Sequence, residues 1–217
     1  MNVYFKDGNV ATKNLTPGIS VYGEELVQED EEYRIWNPRR SKLSAALLNG
    51  LENLKLEDTS KVLYLGASTG TTVSHISDIL INGRVYAVEF SPTTAKKLVQ
   101  LSRQRVNIAP ILGDATKPKG YLNIVENTDL VYCDVAQPTQ TELFMKNIIR
   151  YSALAFTAIA ACGCNDAEYG AAGSMGDKLG VHAYLVESNA APGIANTVVT
   201  LGTSVTNLAL TPSLTDK

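Results

Sequence analysis

Residues Val62 to Ser74 read VLYLGASTGTTVS, and this stretch decides the fold of the chain. It begins with an apolar run of the strand type and continues into the small residues Gly66 to Thr72, which include two glycines. Apolar residues then recur at helical spacing through Leu80. The pattern predicts a strand, a tight turn and a helix, in which backbone N–H groups can approach a ligand at the helix N-terminus. The glycines stand as GxxxG, so the GxGxxG fingerprint of dinucleotide-binding proteins is not met.

Acidic residues follow the next two predicted strands. Residues 84–89 form a strand-type run that ends at Glu89, about twenty residues past the turn, where a carboxylate can accept hydrogen bonds from ribose hydroxyls. A third run, Ile108 to Leu112, is followed by Asp114. The three features are a glycine-rich turn, a carboxylate placed to bind ribose hydroxyls, and a second carboxylate placed near a purine ring. Together they suit the binding of S-adenosylmethionine in a doubly wound sheet. The alternative is another βαβ protein whose strands end in acids.

Alternating strand and helix patterns predict this doubly wound, Rossmann-like α/β sheet over residues 57–150. Strands are predicted near 61–66, 84–89, 108–112 and 129–134, and helices near 71–81, 92–106, 119–126 and 138–150. Asp134 follows the fourth strand beside the expected ligand crevice, where an acid commonly serves catalysis or binding. Capping of the following helix is the alternative role for Asp134.

The first 56 residues predict a small β-rich domain and a connecting helix, ahead of a second domain over residues 57–217. The β-rich part comprises a hairpin with an Asp7-Gly8 turn and strands near 19–22 and 33–36, with an exposed acidic segment, 24–32, between them. Asn37 is placed to cap a helix that begins at Pro38.

Three basic residues, Arg39, Arg40 and Lys42, crowd the start of that helix. Positive charge there opposes the helix dipole, which costs a few tenths of a kcal/mol for each residue. A local cost of this kind suggests a functional role such as contacting phosphates. Solvated charge on a surface helix is the alternative.

The composition is that of a soluble globular protein, with 45% hydrophobic and 19% charged residues among 217. No apolar stretch has the length of a membrane span, and no signal peptide is visible. Three cysteines form no disulfide framework and fit a reducing cytoplasm, and Cys162, Cys164 and His182 fall short of a zinc site. Only Lys178 and Lys217 of the 19 lysines and arginines lie beyond residue 150, so a phosphate-facing patch is expected in the first two thirds.

The last part of the chain, residues 151–217, is atypical because charge nearly vanishes and small residues dominate. Its pattern indicates a strand or helix over 153–161, a long loop over 163–180, and strands near 181–186, 197–201 and 205–210. Strands are expected here in any case, since a sheet that ended earlier would leave an unpaired edge.

Nine short sequence motifs, taken in order, resemble those of the fibrillarin family in its archaeal form. They are Ala11–Leu15, Val21–Glu24, Tyr33–Pro38, Arg40–Leu43, Val62–Gly66, Gly70–Thr72, Glu89–Pro92, Gly113–Pro118 and Asp134–Pro138. The resemblance is close over residues 8–147. It implies an S-adenosylmethionine-dependent 2′-O-methyltransferase for ribosomal and transfer RNA, with a methyltransferase sheet and a small N-terminal β domain.

The resemblance also implies a set of site residues and partners. S-adenosylmethionine would be held by Gly66, Ala67, Thr71, Thr72, Glu89, Phe90, Asp114, Ala115, Asp134, Val135, Ala136 and Gln137. Arg39, Arg40 and Lys42 would bind RNA. A C/D box guide RNA would pair with the target, a Nop-type scaffold protein would dock the enzyme, and a kink-turn-binding protein would complete the particle. No metal is implied.

The family's catalytic group is a Lys–Asp–Lys–His set, and this sequence matches part of it. Lys42 and Asp134 match the first two members, with Lys42 polarising the 2′-hydroxyl and Asp134 accepting its proton or holding the lysine. The family's second lysine has no counterpart in Ile159–Cys164, and His182 is a faint match for the histidine.

Three interpretations of residues 151–217 remain open. The segment is a diverged or exchanged tail on an intact fold, a segment read in another frame, or the tail of a protein that binds cofactor and partners but transfers methyl groups poorly. The last interpretation defines the alternative function, a catalytically impaired, S-adenosylmethionine-binding subunit of the same particle. A methyltransferase for some other substrate is disfavoured, because binding the cofactor alone would not require the motifs around Lys42 and Asp134.

Overall fold

The computed structural model of the chain describes residues 2–51, 54, 56–121, 123–137, 139–162, 180–187 and 197–200. Its strands are β1 (Tyr4–Lys6), β2 (Asn9–Lys13), β3 (Leu26–Gln28), β4 (Glu32–Ile35), β5 (Lys61–Leu65), β6 (Arg84–Glu89), β7 (Ile108–Leu112), β8 (Thr128–Cys133), β9 (Ser152–Cys162), β10 (Gly180–Glu187) and β11 (Thr197–Thr200). The helices are α1 (Lys42–Leu48), α2 (Thr71–Ile79), α3 (Pro92–Ser102) and α4 (Gln140–Tyr151), with a short 3₁₀ helix at Pro118–Tyr121.

An antiparallel sheet in the order β1-β2-β4-β3 forms the N-terminal part. The predicted hairpin is confirmed, and its turn residue Asp7 takes a positive φ of 50°. The strand predicted near 19–22 was wrong. The N–H groups of Val21 and Tyr22 donate to the carboxylate of Glu24 at 2.9 and 2.8 Å, so a side chain occupies them instead of a neighbouring strand. The third strand is β3, within the acidic segment predicted to be exposed.

The connecting helix begins later than predicted, at Lys42 and not at Pro38. Ser41 is its cap, with Oγ accepting from the N–H of Ser44 at 3.2 Å. The Asn37 side chain instead accepts from the N–H of Arg39 at 2.9 Å and closes a turn. Arg39 and Arg40 therefore lie before the helix, and only Lys42 belongs to its first turn.

A seven-stranded sheet in the order β11-β10-β9-β8-β5-β6-β7 forms the centre. Neighbouring strands are parallel except β11, which runs antiparallel to β10. The four strands and the helices α2, α3 and α4 predicted over residues 57–150 are confirmed. The helix predicted over 119–126 was wrong, because Gly120 and Asn123 are poor helix formers and only the 3₁₀ turn forms there.

Strands also form in the last part of the chain, as expected for an extended sheet. The segment near 153–161 is a strand, β9, and those near 181–186 and 197–201 are β10 and β11. The predicted loop residues 163–179 and the predicted strand 205–210 lie outside the described residues. At the opposite edge is β7, which contains Pro110 and whose end is tied to β6 by the Gly113 N–H donating to the carbonyl of Glu89 at 3.0 Å.

The two faces of the central sheet are covered by different helices. Alternation along β5 sends Val62 and Tyr64 to the face covered by α1, α2 and α3, and Leu63 and Leu65 to the face covered by α4 and the 3₁₀ helix. Both sets of side chains are buried. No helix among the described residues is long and apolar enough to cross a membrane.

Four buried charges join the N-terminal sheet to α2, and we call them the buried ion cluster: Glu24, Arg34, Asp78 and Arg105. Arg34 donates to Glu24 at 2.5 Å and to Asp78 at 2.7 Å, and these three side chains are fully buried. Arg105 donates to the other oxygen of Asp78. Two positive and two negative charges balance, which is the condition under which such groups tolerate burial.

Candidate functional site

A cleft with a volume of about 420 Å³ opens at the carboxyl ends of β5, β6, β7 and β8. The strand order reverses between β5 and β8, which is where ligands bind in doubly wound sheets. The cleft is lined by Gly66, Ser68, Val88, Glu89, Phe90, Gly113, Asp114, Ala115, Thr116, Asp134, Val135, Ala136, Gln137 and Leu143. Nine of the twelve residues that the resemblance assigned to the cofactor are in this lining.

The glycine turn approaches the end of β8 closely. Gly66 has a φ of +82°, and a Cβ at this position would lie 2.6 Å from the carbonyl oxygen of Asp134. The N–H groups of Gly66 and Ala67 both donate to the carbonyl of Val88 at 3.0 Å. At the other end of the turn, Gly70 has a φ of +93° and precedes α2. The turn is therefore held against β6 and β8 in a conformation that favours glycine.

Glu89 at the end of β6 organises one wall of the cleft. Its Oε2 accepts from the N–H of Ser68 at 2.7 Å, and its Oε1 accepts from the N–H of Ser91 and the hydroxyl of Thr94 at 2.8 and 2.9 Å. A carboxylate has about four acceptor positions, so one remains for a ligand hydroxyl. The neighbouring Phe90 ring is 73% exposed and offers an apolar face at the rim.

Asp114 on the opposite wall is held by the residues that follow it. The hydroxyl and the N–H of Thr116 donate to its Oδ1 at 2.7 and 3.0 Å, and Lys117 lies 3.1 Å from Oδ2. These hydrogen bonds, with the positive charge of Lys117, lower the pKa of Asp114 from its usual value. The group is therefore an ionised acceptor throughout the neutral range.

Lys42 and Asp134 meet at the mouth of the cleft. The Nζ of Lys42 donates to Oδ1 of Asp134 at 2.6 Å, although 92 residues separate them in the chain. The hydroxyl of Tyr64 donates to the other carboxylate oxygen, Oδ2, at 3.1 Å. Both side chains of the ion pair are partly accessible, at 25% and 20%, so an approaching substrate could contact them.

Three residues assigned to the cofactor, Ala67, Thr71 and Thr72, do not line the cleft. Thr72 is buried, and its hydroxyl donates to Oγ of Ser41 at 3.1 Å, which joins the start of α2 to the cap of α1. Its contact with a cofactor stays a prediction, as do those of Ala67, which is also buried, and Thr71.

The basic residues assigned to RNA lie at the start of α1 and in the turn before it. Arg39 and Arg40 are exposed in the turn before α1, and Lys42 follows in the helix. The guanidinium of Arg40 lies 5.1 Å from the centre of the Tyr22 ring and donates to the Tyr22 carbonyl at 3.4 Å. Arg39 and Arg40 are thus exposed to solvent just before the helix that carries Lys42, and their contact with RNA stays a prediction.

His182 lies in β10, away from the edge that carries Asp134. It pairs with Thr157 of β9, and Thr157 pairs with Leu130 of β8, four residues before Asp134. At about 3.3 Å per residue, this register puts the two positions roughly 13 Å apart along the strand direction. The backbone does not bring His182 to the cleft, and its catalytic role stays a prediction.

Sequence reasoning missed Tyr64 and Ser68. Tyr64 stands inside an apolar run that reads as pure core, and only its pairing with Tyr132 of β8 reveals that Asp134 lies ahead of it on the same face. Ser68 adopts a φ of +50°, which directs its N–H to Glu89. Among the described residues, no group of three or more histidines, cysteines or acids is arranged to hold a metal ion.

Comparison with known proteins decides the family. The Fibrillarin family model matches residues 1–165, well over half of the chain. The chain belongs to the fibrillarin family. The resemblance inferred from the nine motifs is thereby confirmed. The family match ends at residue 165, before β10 begins.

Individual relatives agree with this assignment. A fibrillarin-like rRNA/tRNA 2′-O-methyltransferase of Methanothermobacter thermautotrophicus is 54% identical over 147 residues, which are 67% of this chain and 66% of that protein. The alignment thus spans just under two thirds of that fibrillarin relative. Many of the curated relatives carry the same name.

Solved fibrillarin structures share the fold. The Aeropyrum pernix fibrillarin, solved in complex with natively bound S-adenosyl-L-methionine, superposes with a TM-score of 0.66 at 44% identity, covering 70% of this chain and 74% of that one. The structure of a fibrillarin/Nop5p complex gives a TM-score of 0.65 at 39% identity, covering 85% and 74%. The predicted methyltransferase-type sheet with an N-terminal β-rich part is confirmed.

Proposed function

We propose that the chain transfers a methyl group from S-adenosylmethionine to ribose 2′-hydroxyls of ribosomal and transfer RNA, within a C/D box guide particle. The observation that carries the proposal is the Lys42–Asp134 pair, 2.6 Å apart, at the mouth of a cleft walled by Glu89 and Asp114. The name of the Methanothermobacter relative and the cofactor of the Aeropyrum structure point the same way.

The cleft fits the proposed cofactor. A volume of about 420 Å³ lies within the usual range for small-molecule sites. Glu89 keeps an acceptor position for a ribose hydroxyl, Asp114 is ionised on the opposite wall, and Phe90 offers an exposed ring for a purine. The glycine turn leaves no Cβ between the end of β5 and Asp134. We assign Gly66, Glu89, Phe90, Asp114, Ala115 and the stretch 134–137 to cofactor binding.

The methyl group of the sulfonium is already activated, so its transfer forms the new C–O bond, breaks the S–C bond, leaves a neutral thioether and releases the hydroxyl proton. The protein must therefore align the 2′-hydroxyl and take up its proton. Asp134 accepts the proton on a carboxylate oxygen, and Lys42 orients the hydroxyl and stabilises the developing negative charge. Neither residue needs to form a covalent intermediate.

The positive residues before α1 extend this site toward a nucleic acid. Arg39 and Arg40 are exposed and lie next in sequence to the Lys42 helix. Side chains of this type contact phosphates without reading sequence, so a guide RNA would choose the nucleotide. The fibrillarin/Nop5p complex supports a Nop-type scaffold partner, and we include a kink-turn-binding protein as the third component.

A reconstitution experiment tests the proposal. The chain is incubated with labelled S-adenosylmethionine, a C/D box guide RNA, its target and the two partner proteins. Methylation of one target nucleotide is expected, with a loss of at least about a hundredfold in Lys42→Ala and in Asp134→Ala. Lys61→Ala removes a lysine that is also ion-paired but lies at the amino end of β5, and it should keep full activity. Wild-type activity in both site variants would refute the assigned roles.

A second candidate function is motivated by β9. Its carboxyl end reads Ala160, Ala161 and Cys162, where the family's second lysine was expected, and Ala160 pairs with Cys133 beside Asp134. On this reading the chain binds the cofactor and assembles but does not turn over. Calorimetry would then give normal cofactor affinity while the reconstituted particle stays inactive. Robust turnover eliminates this candidate.

A further inference from the structure

The hydroxyl of Tyr64 reaches the carboxylate proposed to take the substrate proton. Tyr64 of β5 pairs with Tyr132 of β8, and side chains two residues apart on a strand share a face. Asp134 therefore projects on the same face as Tyr64, one step further toward the cleft. The resulting hydrogen bond from the Tyr64 hydroxyl to Oδ2 of Asp134 measures 3.1 Å.

The ring of Tyr64 is fixed by its surroundings. It is 2% exposed and packs on the ring of Tyr132, with ring centres 4.7 Å apart. Burial, and then the nearby charge of Asp134, raise the pKa of Tyr64 well above its usual value. The phenol is therefore protonated at every pH at which the protein would work, and it acts as a donor.

The other oxygen of Asp134 is bonded to the helix α1. The amine of Lys42, in the first turn of α1, donates to Oδ1 of Asp134. Ser41, the cap of α1, directly precedes Lys42, and its Oγ accepts from the hydroxyl of Thr72 at 3.1 Å. The carboxylate of Asp134 is therefore bonded to β5 through one oxygen and to α1 through the other, and the start of α1 is itself held by α2.

We infer that Tyr64 is a positioning residue for methyl transfer: its hydroxyl holds Oδ2 of Asp134, so that the carboxylate plane is fixed with Oδ1 at Lys42. The inference rests on the proposed function. A carboxylate held at one oxygen only can rotate about its Cβ–Cγ bond, whereas two bonds to opposite oxygens prevent that rotation. Tyr64 itself does not line the cleft, so it acts through Asp134.

The chain offers a matched pair of variants for the test. Tyr64→Phe removes the hydroxyl bonded to Asp134, and Tyr132→Phe removes the hydroxyl of the adjacent ring, which finds no hydrogen-bond partner among the described residues. Both keep the rings and the core packing. In the reconstituted particle, Tyr64→Phe should lower kcat about ten- to a hundredfold and leave KM for S-adenosylmethionine unchanged. Tyr132→Phe should match the wild type in both.

A second measurement does not depend on turnover. The ¹³C chemical shift of the Asp134 carboxyl group, assigned by its loss in Asp134→Asn, is compared among the free proteins at neutral pH. It should change in Tyr64→Phe, which removes the hydrogen bond to Oδ2, and stay at the wild-type value in Tyr132→Phe. An unchanged chemical shift together with unchanged kcat in Tyr64→Phe would overturn the inference. If the wild type does not turn over but the chemical shift changes in Tyr64→Phe, the proposed function fails while the positioning contact stands.

Discussion

Gly66 and Asp134 are in contact through their backbones, and a single added carbon on Gly66 would lie 2.6 Å from the Asp134 carbonyl oxygen. That carbonyl belongs to the strand end that also carries the carboxylate bonded to Lys42. The glycine turn and the acid are thus mutually positioned by rigid main chain, which ties the shape of the cleft to the geometry of the ion pair.

Gly66→Ala should therefore destabilise the fold and abolish cofactor binding. The positive φ costs about 1–2 kcal/mol for an L-residue, and the collision with backbone adds a further 1–3 kcal/mol because neither partner can rotate away. Urea denaturation and calorimetry measure the two effects. Gly23→Ala is the control, because its φ of +84° is similar but a Cβ there meets no atom within 4 Å. Equal loss of stability in both variants would remove the steric argument.

Asp78→Asn should be strongly destabilising, by about 3–5 kcal/mol, since it leaves two buried guanidinium groups with one fewer negative partner. Asp78 accepts from Arg34 and Thr12 on one oxygen and from Arg105 and the N–H of Leu15 on the other. The urea midpoint reports the change. Glu31→Gln breaks the half-exposed pair with Lys13 and should leave the urea midpoint close to the wild-type value, because solvent screens surface ion pairs.

Stability should fall as the pH drops below about 6.5, because of His75. Its ring is fully buried, stacks on Trp36 and shares hydrogen bonds with the hydroxyls of Thr12 and Tyr22. Burial, and then the positive charges of the two arginines of the buried ion cluster, lower its pKa well below the usual value. The unfolded chain therefore takes up the proton first, and the stability contributed by neutral His75 is complete above pH about 6.5 and lost as the pH falls toward the lower, folded-state value.

The slope can approach 1.4 kcal/mol per pH unit, and urea midpoints between pH 7 and pH 5 measure it. That window lies above the range of Glu24, whose own burial would raise its pKa but whose hydrogen bonds from Val21 and Tyr22, with the charge of Arg34, lower it overall. His75→Gln should flatten the slope. A slope that persists in His75→Gln would assign it to another group.

Asp114→Asn should weaken S-adenosylmethionine binding about tenfold with little effect on folding, since a neutral amide loses a charge-assisted hydrogen bond to the ligand. The matched change Asp129→Asn lies at the amino end of β8 and should not alter affinity. Because the pKa of Asp114 is lowered, affinity should hold constant from neutral pH down to about pH 5. Calorimetric titration measures both, and full affinity in Asp114→Asn would take this residue out of the site.

The central sheet could be predicted because its strands are short apolar runs closed by glycines and acids, and parallel strands bring their carboxyl ends to one edge. Glu89, Asp114 and Asp134 follow from that rule. The start of α1 could not be predicted in this way, since Asn37 and Ser41 are equally good caps and the choice between them depends on tertiary contacts. The strand β3 could not be predicted either, because no local pattern indicates that Glu24 is buried in an ion pair with Arg34.

The Lys42–Asp134 contact was reached through the family resemblance and not from the residues alone. Nothing in the local sequence relates two side chains 92 positions apart. Tyr64 required the register of β5 against β8, which sequence patterning does not supply.

Pro110 lies in β7, the strand at one end of the central sheet among the described residues, and it affects how that edge can pair with other molecules. Residues of a parallel strand point their N–H groups alternately to either side. Since Gly113 donates to Glu89 of β6, position 110 faces outward from β7, and a proline there has no N–H to offer. A strand from another molecule that paired with β7 would lack one backbone N–H donor at position 110. This edge strand therefore resists edge-to-edge association of folded copies into fibres.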